Sequence, residues 1–315
     1  MNKLYVNSLL NVGPTYLPKM KYIKFTLAFI LSTALFASCG SGNKQKEQTA
    51  EAFKIEDYIE AAETIDPSIN SVDQVFDILN MVNAEYYDVL TNDPYNAHSY
   101  KTSYPVAAAN LGVYVVDVLY NYYGEAPDAM LLSFQAAQEL ADYIGVESQF
   151  GTWTLEKLEG GTMQRDTITM LFNSLLKDSE KYNSEKEMVF VHTAFLTGSF
   201  VEKVYITGQL LRQKMLVEDK TREDEGDIRE LLVIYMNQLN PSASILYDAF
   251  LRQQDQLKDL VILNTFEQLK TLSDHLLELK PTLAVAPIND IAGNEDLNKS
   301  FELVEGLRNV IVTPQ

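Results

Sequence analysis

P-V-A-A-A-N-L-G-V-Y-V-V-D-V-L-Y-N-Y-Y, residues Pro105 to Tyr123, decides the fold class. The stretch is apolar around most of a helical circumference, as expected of a helix at the centre of an all-helical core. Its polar members are ordered: Asn110, Tyr114, Asp117 and Asn121 follow one another at steps of 4, 3 and 4. At about 100° per residue they fall within an arc of about 60°, so the helix carries one narrow polar stripe. Pro105 opens it where a missing N–H costs nothing, and Gly124 ends it.

Outward from this helix the pattern stays helical. Ser71 can cap a helix with Val72, Val75, Phe76, Leu79 and Val82 on one face, stopped by Asn92-Asp93-Pro94. Tyr95 to Tyr104 reads as a polar, aromatic loop holding His98. Pro127 starts a helix closed by Gly145. Trp153 lies in a Gly151–Gly161 loop, and helices are expected over about 166–182 and 185–216. The charged run from Glu218 ends at Gly226, a helix follows over about 227–239, and Asn240-Pro241-Ser242 reads as a turn. Residues 242–279 are mostly helical, 281–287 form an extended linker, and a last amphipathic helix covers about 296–310. No strand alternation with turn chemistry occurs. The expectation is an all-α bundle of about eight to ten helices.

A second helix imitates the first. Gly198, Glu202, Tyr205 and Gln209 repeat the 4, 3, 4 spacing, and both helices place Tyr three residues after an acid: Asp117 to Tyr120, and Glu202 to Tyr205. A glycine inside a helix costs about 1 kcal/mol against alanine, so Gly112 and Gly198 point to close helix–helix approach. The two helices are therefore expected to be neighbours joined by hydrogen bonds among the acids and tyrosines, with a divergent helical repeat as one explanation. Asn110, Tyr114, Asp117, Tyr120, Glu202 and Tyr205 are the candidates for an inter-helix polar network or a ligand contact.

The N-terminal region speaks to location. Met20-Lys21-Tyr22-Ile23-Lys24 is a short basic segment, and Phe25 to Phe36 is a mainly apolar run, too short for the ~20 residues that span a bilayer. Ala37-Ser38 precede the single cysteine, Cys39. Residues 1–38 read as a signal peptide, with 1–19 an upstream-start extension before Met20. L-F-A-S-C resembles the lipobox of bacterial lipoproteins, with Phe36 where Leu is usual. That resemblance implies acylation of Cys39, whose chains anchor the protein at about 0.8 kcal/mol per buried CH₂. Residues 39–52 form the lipidated cysteine and a polar tether, and 53–315 a single helical domain. Gly40 follows the cysteine in place of Asp, and no acidic run follows it; the expected address is the outer membrane, facing the periplasm.

Net charge is −19, and the four lysines before Cys39 (Lys3, Lys19, Lys21, Lys24) leave −23 when removed. Such a surface repels polyanions, which excludes nucleic-acid binding. One cysteine excludes a disulfide framework. His98, His192 and His275 have no metal-ligand spacing, and no P-loop or dinucleotide fingerprint occurs, so no metal or cofactor is expected. Ser199 sits in mid-helix without a nucleophile elbow.

N-L-G-V-Y-V-V-D-V-L-Y (Asn110–Tyr120), A-x-x-L-A-D-Y-I-G-V (Ala137–Val146) and G-S-F-V-E-K-V-Y (Gly198–Tyr205) resemble the uncharacterised all-helical lipoproteins of Bacteroidetes-type bacteria. The resemblance implies fold and address, and no activity. The leading expectation is a non-enzymatic, membrane-tethered binding or scaffold module with an envelope protein as partner and no catalytic residue. Alternatives are a sugar or peptide receptor using the tyrosine-rich region 95–123, and an envelope hydrolase pairing the Asp117 and Glu202 carboxylates across an open cleft.

Overall fold

The computed structural model describes residues 79, 84–146, 191–216, 220–251, 260–276, 283 and 286–314, all within the compact unit Phe53–Gln315. The protein is all-α. Among the described residues there are nine helical segments and no strand. Two are 3-10 helices, Asp88–Leu90 and Pro94–Tyr100. Seven are α-helices: α1 Tyr104–Tyr123, α2 Pro127–Ile144, α3 Val191–Leu216, α4 Arg222–Leu251, α5 Leu260–Leu276, α6 Ile288–Ala292 and α7 Glu295–Val312. The lipobox, the tether, Trp153 and the helix expected over 166–182 lie outside the described residues.

α1 is the axis of the core. Every residue from Val106 to Asn121 is buried. α2 and α3 pack along it, α3 also meets α4 and α7, and α5 lies against α4 and α7. The helix ends follow their local chemistry. The Ser103 side chain accepts from Val106 N at the start of α1. Gly145 closes α2 at φ 91°, in the left-handed region that a Cβ disfavours. Asn294 accepts from Leu297 N, 2.8 Å away, at the start of α7.

The α1–α3 contact is backbone against backbone. A Cβ on Gly112 would stand 2.7 Å from Ser199 N and 2.8 Å from Ser199 Oγ, and one on Gly198 would overlap the Ala109 carbonyl. Ser199 Oγ donates to its own helix, at Phe195 O, 3.0 Å away. No side chain larger than hydrogen fits at either glycine, so the seam is set by the two absent methyl groups.

Three sequence expectations need correction. α4 runs unbroken from Arg222 to Leu251, through both Gly226 and the Asn240-Pro241-Ser242 stretch expected to turn. Its start is fixed by a reciprocal cap, with Asp224 N donating to Thr221 Oγ1 and Thr221 N donating to Asp224 Oδ2. Tyr235 before the proline and Ala243 and Leu246 after it are completely buried. Packing on both sides of Pro241 thus offsets the ~3 kcal/mol a helix-interior proline costs. The second correction concerns the helix expected to continue to Asn92. Ala84–Tyr87 has no regular structure, and Ala84 O, the Tyr86 hydroxyl and Tyr87 N bond to α1. The third is the loop expected over 95–104, which holds the 3-10 helix Pro94–Tyr100, with the Asp93 side chain accepting from Tyr95 N at its start.

A buried polar cluster as the candidate functional site

The stripe on α1 and its neighbours serve as a row of partners for the segment Ala84–Asp93, whose only regular structure is the 3-10 helix Asp88–Leu90. The Tyr114 hydroxyl donates to Asp93 O (2.8 Å), and Asp117 Oδ2 accepts from Asn92 N (3.0 Å). Tyr120 Oη accepts from Tyr87 N (2.9 Å), and Asn121 Oδ1 accepts from the Tyr86 hydroxyl (2.8 Å). Tyr123 donates to Ala84 O. As the α1 number rises from 114 to 123, the segment number falls from 93 to 84, so the segment is laced antiparallel along the helix. Backbone groups that the short 3-10 helix leaves unpaired must be satisfied elsewhere, and α1 side chains do so at Ala84 O, Tyr87 N, Asn92 N and Asp93 O. At the other end of the stripe, Asn110 Nδ2 donates to Val106 O and to Ile311 O (3.0 Å), holding α7.

Asp117 and Glu202 lie together at the crossing of α1 and α3, both without solvent exposure. Arg308, from α7, forms a two-pronged ion pair with Glu202: Nε to Oε2 at 2.7 Å and Nη2 to Oε1 at 2.8 Å. Nη2 also donates to Leu90 O (3.2 Å), and the guanidinium lies over the Tyr205 ring, 4.2 Å from its centre. Burial opposes the Arg308 charge, but Glu202 outweighs it and holds the guanidinium charged. Four parts of the chain meet here: α1, α3, α7 and the Leu90–Asn92 turn.

The electrostatics around Asp117 run the other way. Burial, and next the Glu202 charge, push its carboxyl well above the usual carboxylate range, against the lowering pull of Arg308 and of Asn92 N–H. Asp117 Oδ1 faces no donor among the described residues. Both observations are accounted for by a protonated Asp117 whose O–H donates to Glu202. The cluster is then neutral: one carboxylate, one guanidinium, one carboxylic acid.

The six candidates from the sequence therefore have distinct places. Asp117 and Glu202 are neighbours across the α1–α3 crossing. Tyr120 and Tyr205, matched in the sequence pattern, are not: Tyr120 serves the Ala84–Asp93 segment, and Tyr205 carries the guanidinium. Tyr114 and Asn110 bond to backbone carbonyls. Contrary to the expectation, neither phenol bridges the two helices: the Tyr120 oxygen accepts from Tyr87 N and the Tyr205 ring lies under the guanidinium, because the glycine seam leaves no room between the backbones for a phenol. Burial pushes Tyr114 and Tyr120 well above the usual phenol range. Arg308 is absent from the sequence candidates, although a signal for it exists. It occupies an inward position of the apolar series Leu297, Phe301, Val304, Leu307, Ile311, where a charge demands a partner.

The remaining polar groups are dispersed. His98 is exposed beside Glu139 (3.3 Å), and His275 Nε2 bonds to Asp296 O (2.8 Å). Burial lowers His192 to about 4. No group of three or more His, Cys, Asp or Glu able to hold a metal occurs among the described residues. A cavity of about 280 Å³ opens between Ala84–Tyr87 and the end of α3. Its charged lining is internally engaged: Lys214 with Asp227 (2.7 Å), Asp224 with Thr221, and Glu85 with the Tyr87 hydroxyl (2.7 Å). No described helix is long and apolar enough to cross a membrane. No family model, curated protein or solved structure matches the chain.

Proposed function

We propose that the protein is a lipid-anchored, all-helical envelope protein that acts by binding or scaffolding, with Cys39 as its acylated N-terminus. The observation that carries the non-enzymatic part is the closure of the polar cluster. Asp117 and Glu202 adjoin each other and Arg308 inside the core, and among the described residues no cleft parts them to admit a substrate. A glycosidase needs its two carboxyls about 5–10 Å apart on either side of the scissile bond. The tyrosines give the receptor reading little support, because Tyr100, Tyr114 and Tyr120 are fully buried and spend their hydroxyls on the protein itself. The lipobox-like L-F-A-S-C and the basic, apolar and small-residue order before it support the anchor.

The test is chemical. Protein purified from its native envelope is digested and its N-terminal peptide weighed, alongside a Cys39→Ser substitution. The expected result is a chain beginning at Cys39 and carrying acyl mass, with Cys39→Ser recovered in the aqueous fraction. An unmodified cysteine in a chain that partitions with the membrane would refute the anchor. In-envelope cross-linking followed by mass spectrometry tests the scaffold role; recovery of the protein alone would count against it.

A further inference from the structure

The cluster of Asp117, Glu202 and Arg308 combines three features that a purely structural ion pair does not require. There are two carboxyl groups and one guanidinium, all deeply buried, so the set is balanced only with a proton bound. Asp117 Oδ1 is left with no donor on any described element around it. And the same few atoms hold two separate parts of the chain against the α1–α3 pair: α7, through Arg308, and the Leu90–Asn92 turn, through Leu90 O and Asn92 N.

We propose that a proton on Asp117 is the pin of a latch, and that its loss loosens α7 and the Leu90–Asn92 turn from the α1–α3 pair. The groups that face Asp117 fix the direction of the response. Glu202 from α3 opposes ionisation; Arg308 from α7 and Asn92 N–H from the turn favour it; Tyr86 from the segment and Tyr114 from α1 are neutral phenols. With Asp117 ionised, two carboxylates adjoin one guanidinium in a buried site, and the excess charge demands hydration. Water cannot be admitted by parting α1 from α3, because their backbones touch at Gly112 and Gly198. The elements free to yield are the short turn, which follows directly on Val89, already 78% exposed, and α7. The linkage has a definite sign. Asp117 titrates higher folded than unfolded, so the folded chain holds the extra proton, and stability falls as pH rises from the ordinary carboxylate range through the folded value of Asp117. This latch does not depend on the lipid anchor and stands or falls separately from it.

Asp117→Asn replaces the acid by an amide that donates to Glu202 and accepts from Asn92 N without titrating. The full chain after Cys39, as wild type and as Asp117→Asn, is followed by urea unfolding and by amide hydrogen exchange from about pH 5 to about pH 9. The wild-type midpoint falls relative to that of Asp117→Asn as pH rises. Over the same range, exchange at Leu90–Asn92 and along α7 accelerates more in wild type than in Asp117→Asn. In parallel, the wild-type infrared spectrum shows the carbonyl stretch of a protonated carboxyl at neutral pH, and that band fades on alkalinisation; this measurement needs no substitution. Identical pH dependence of wild type and Asp117→Asn overturns the latch. So does the absence of a protonated-carboxyl band at neutral pH. Exchange that accelerates evenly over all helices, and not at α7 and the turn, refutes the local opening.

Discussion

Gly198→Ala should destabilise the protein even though alanine is the better helix former. Two effects of opposite sign compete. Alanine in a helix interior gains about 1 kcal/mol over glycine. Against this, the new methyl would overlap the Ala109 carbonyl of α1, a backbone atom inside a helix that is buried from Val106 to Asn121 and cannot swing aside. Overpacking of a filled core costs about 1–3 kcal/mol, and collision with backbone belongs at the upper end. The net expectation is a loss of about 2 kcal/mol. Gly226→Ala supplies the internal control. It lies in the same kind of position, inside a helix, but exposed and with nothing within 4 Å of a built Cβ. There only the propensity difference operates, and a gain of about 0.5–1 kcal/mol is expected. Urea denaturation followed by far-ultraviolet circular dichroism separates the two. With a slope of about 3 kcal/mol per molar, Gly198→Ala lowers the midpoint by about 0.7 M, and Gly226→Ala raises it by about 0.2–0.3 M. A Gly198→Ala midpoint equal to or above wild type, with Gly226→Ala behaving as expected, would show that α1 and α3 do not meet backbone to backbone.

Other substitutions probe the polar cluster and the lacing. Glu202→Gln removes the two-pronged ion-pair partner of the buried Arg308 guanidinium and should cost about 3 kcal/mol; adding Arg308→Met should recover part of that loss, a non-additivity readable in a double-mutant cycle from the same urea data. Tyr120→Phe removes the acceptor of Tyr87 N and should cost about 1–2 kcal/mol, with faster hydrogen exchange at the Tyr87 amide as the local signature. Acid should act through His192. Its folded value of about 4 lies below the usual 6.5, so its contribution is fully present above about pH 6.5 and lost as pH falls towards 4, a change of about 3 kcal/mol. Unfolding midpoints of wild type and His192→Asn between those pH values should converge; parallel curves would assign the acid sensitivity elsewhere.

α1 is legible in the sequence because every local signal agrees: a proline at its first turn, an apolar circumference, and a glycine after Tyr123. The two glycines name the partner helix, since a residue that costs helix stability needs a packing reason. Where sequence and structure part, the causes are identifiable. Gly226 and Pro241 read as breaks when local propensity is weighed without tertiary packing, and the Thr221–Asp224 capping box places the start of α4 upstream of Gly226. The segment Ala84–Asp93 reads as helix because Tyr86 and Tyr87 follow an apolar face. Its Tyr87 and Asn92 amides bond to α1 instead, and nothing periodic in a sequence records a bond between a backbone amide and a tyrosine 33 residues away. Arg308 and Leu90 are 218 residues apart. Only the inward phase of Arg308 on its helix hints at a partner, and none of the chain between them says which.

The polar stripe on α1 now has a physical rationale that the sequence alone left open. A helix buried on every side has no need of polar groups, and each one costs free energy unless it finds a partner. Three of them, Tyr114, Asp117 and Asn121, are retained because the adjoining segment has the complementary deficit at Asp93 O, Asn92 N and the Tyr86 hydroxyl, and the fourth, Asn110, holds α7. The 4, 3, 4 spacing keeps the stripe on one side of α1 while the segment runs antiparallel beside it, so most of these side chains meet a group of the segment in turn. Two stripe oxygens have no partner among the described residues, Asn110 Oδ1 and Asp117 Oδ1, and only the second belongs to a group that titrates. Asp117 Oδ1 has no partner in the segment and adjoins Glu202, so the residue that helps hold the turn also answers to the charge of the α3–α7 ion pair. Phenols and amides in such a row only hold; a carboxyl can also let go. That difference is why, of all the residues in the stripe, Asp117 is the one through which a change in pH would reach both the Leu90–Asn92 turn and α7.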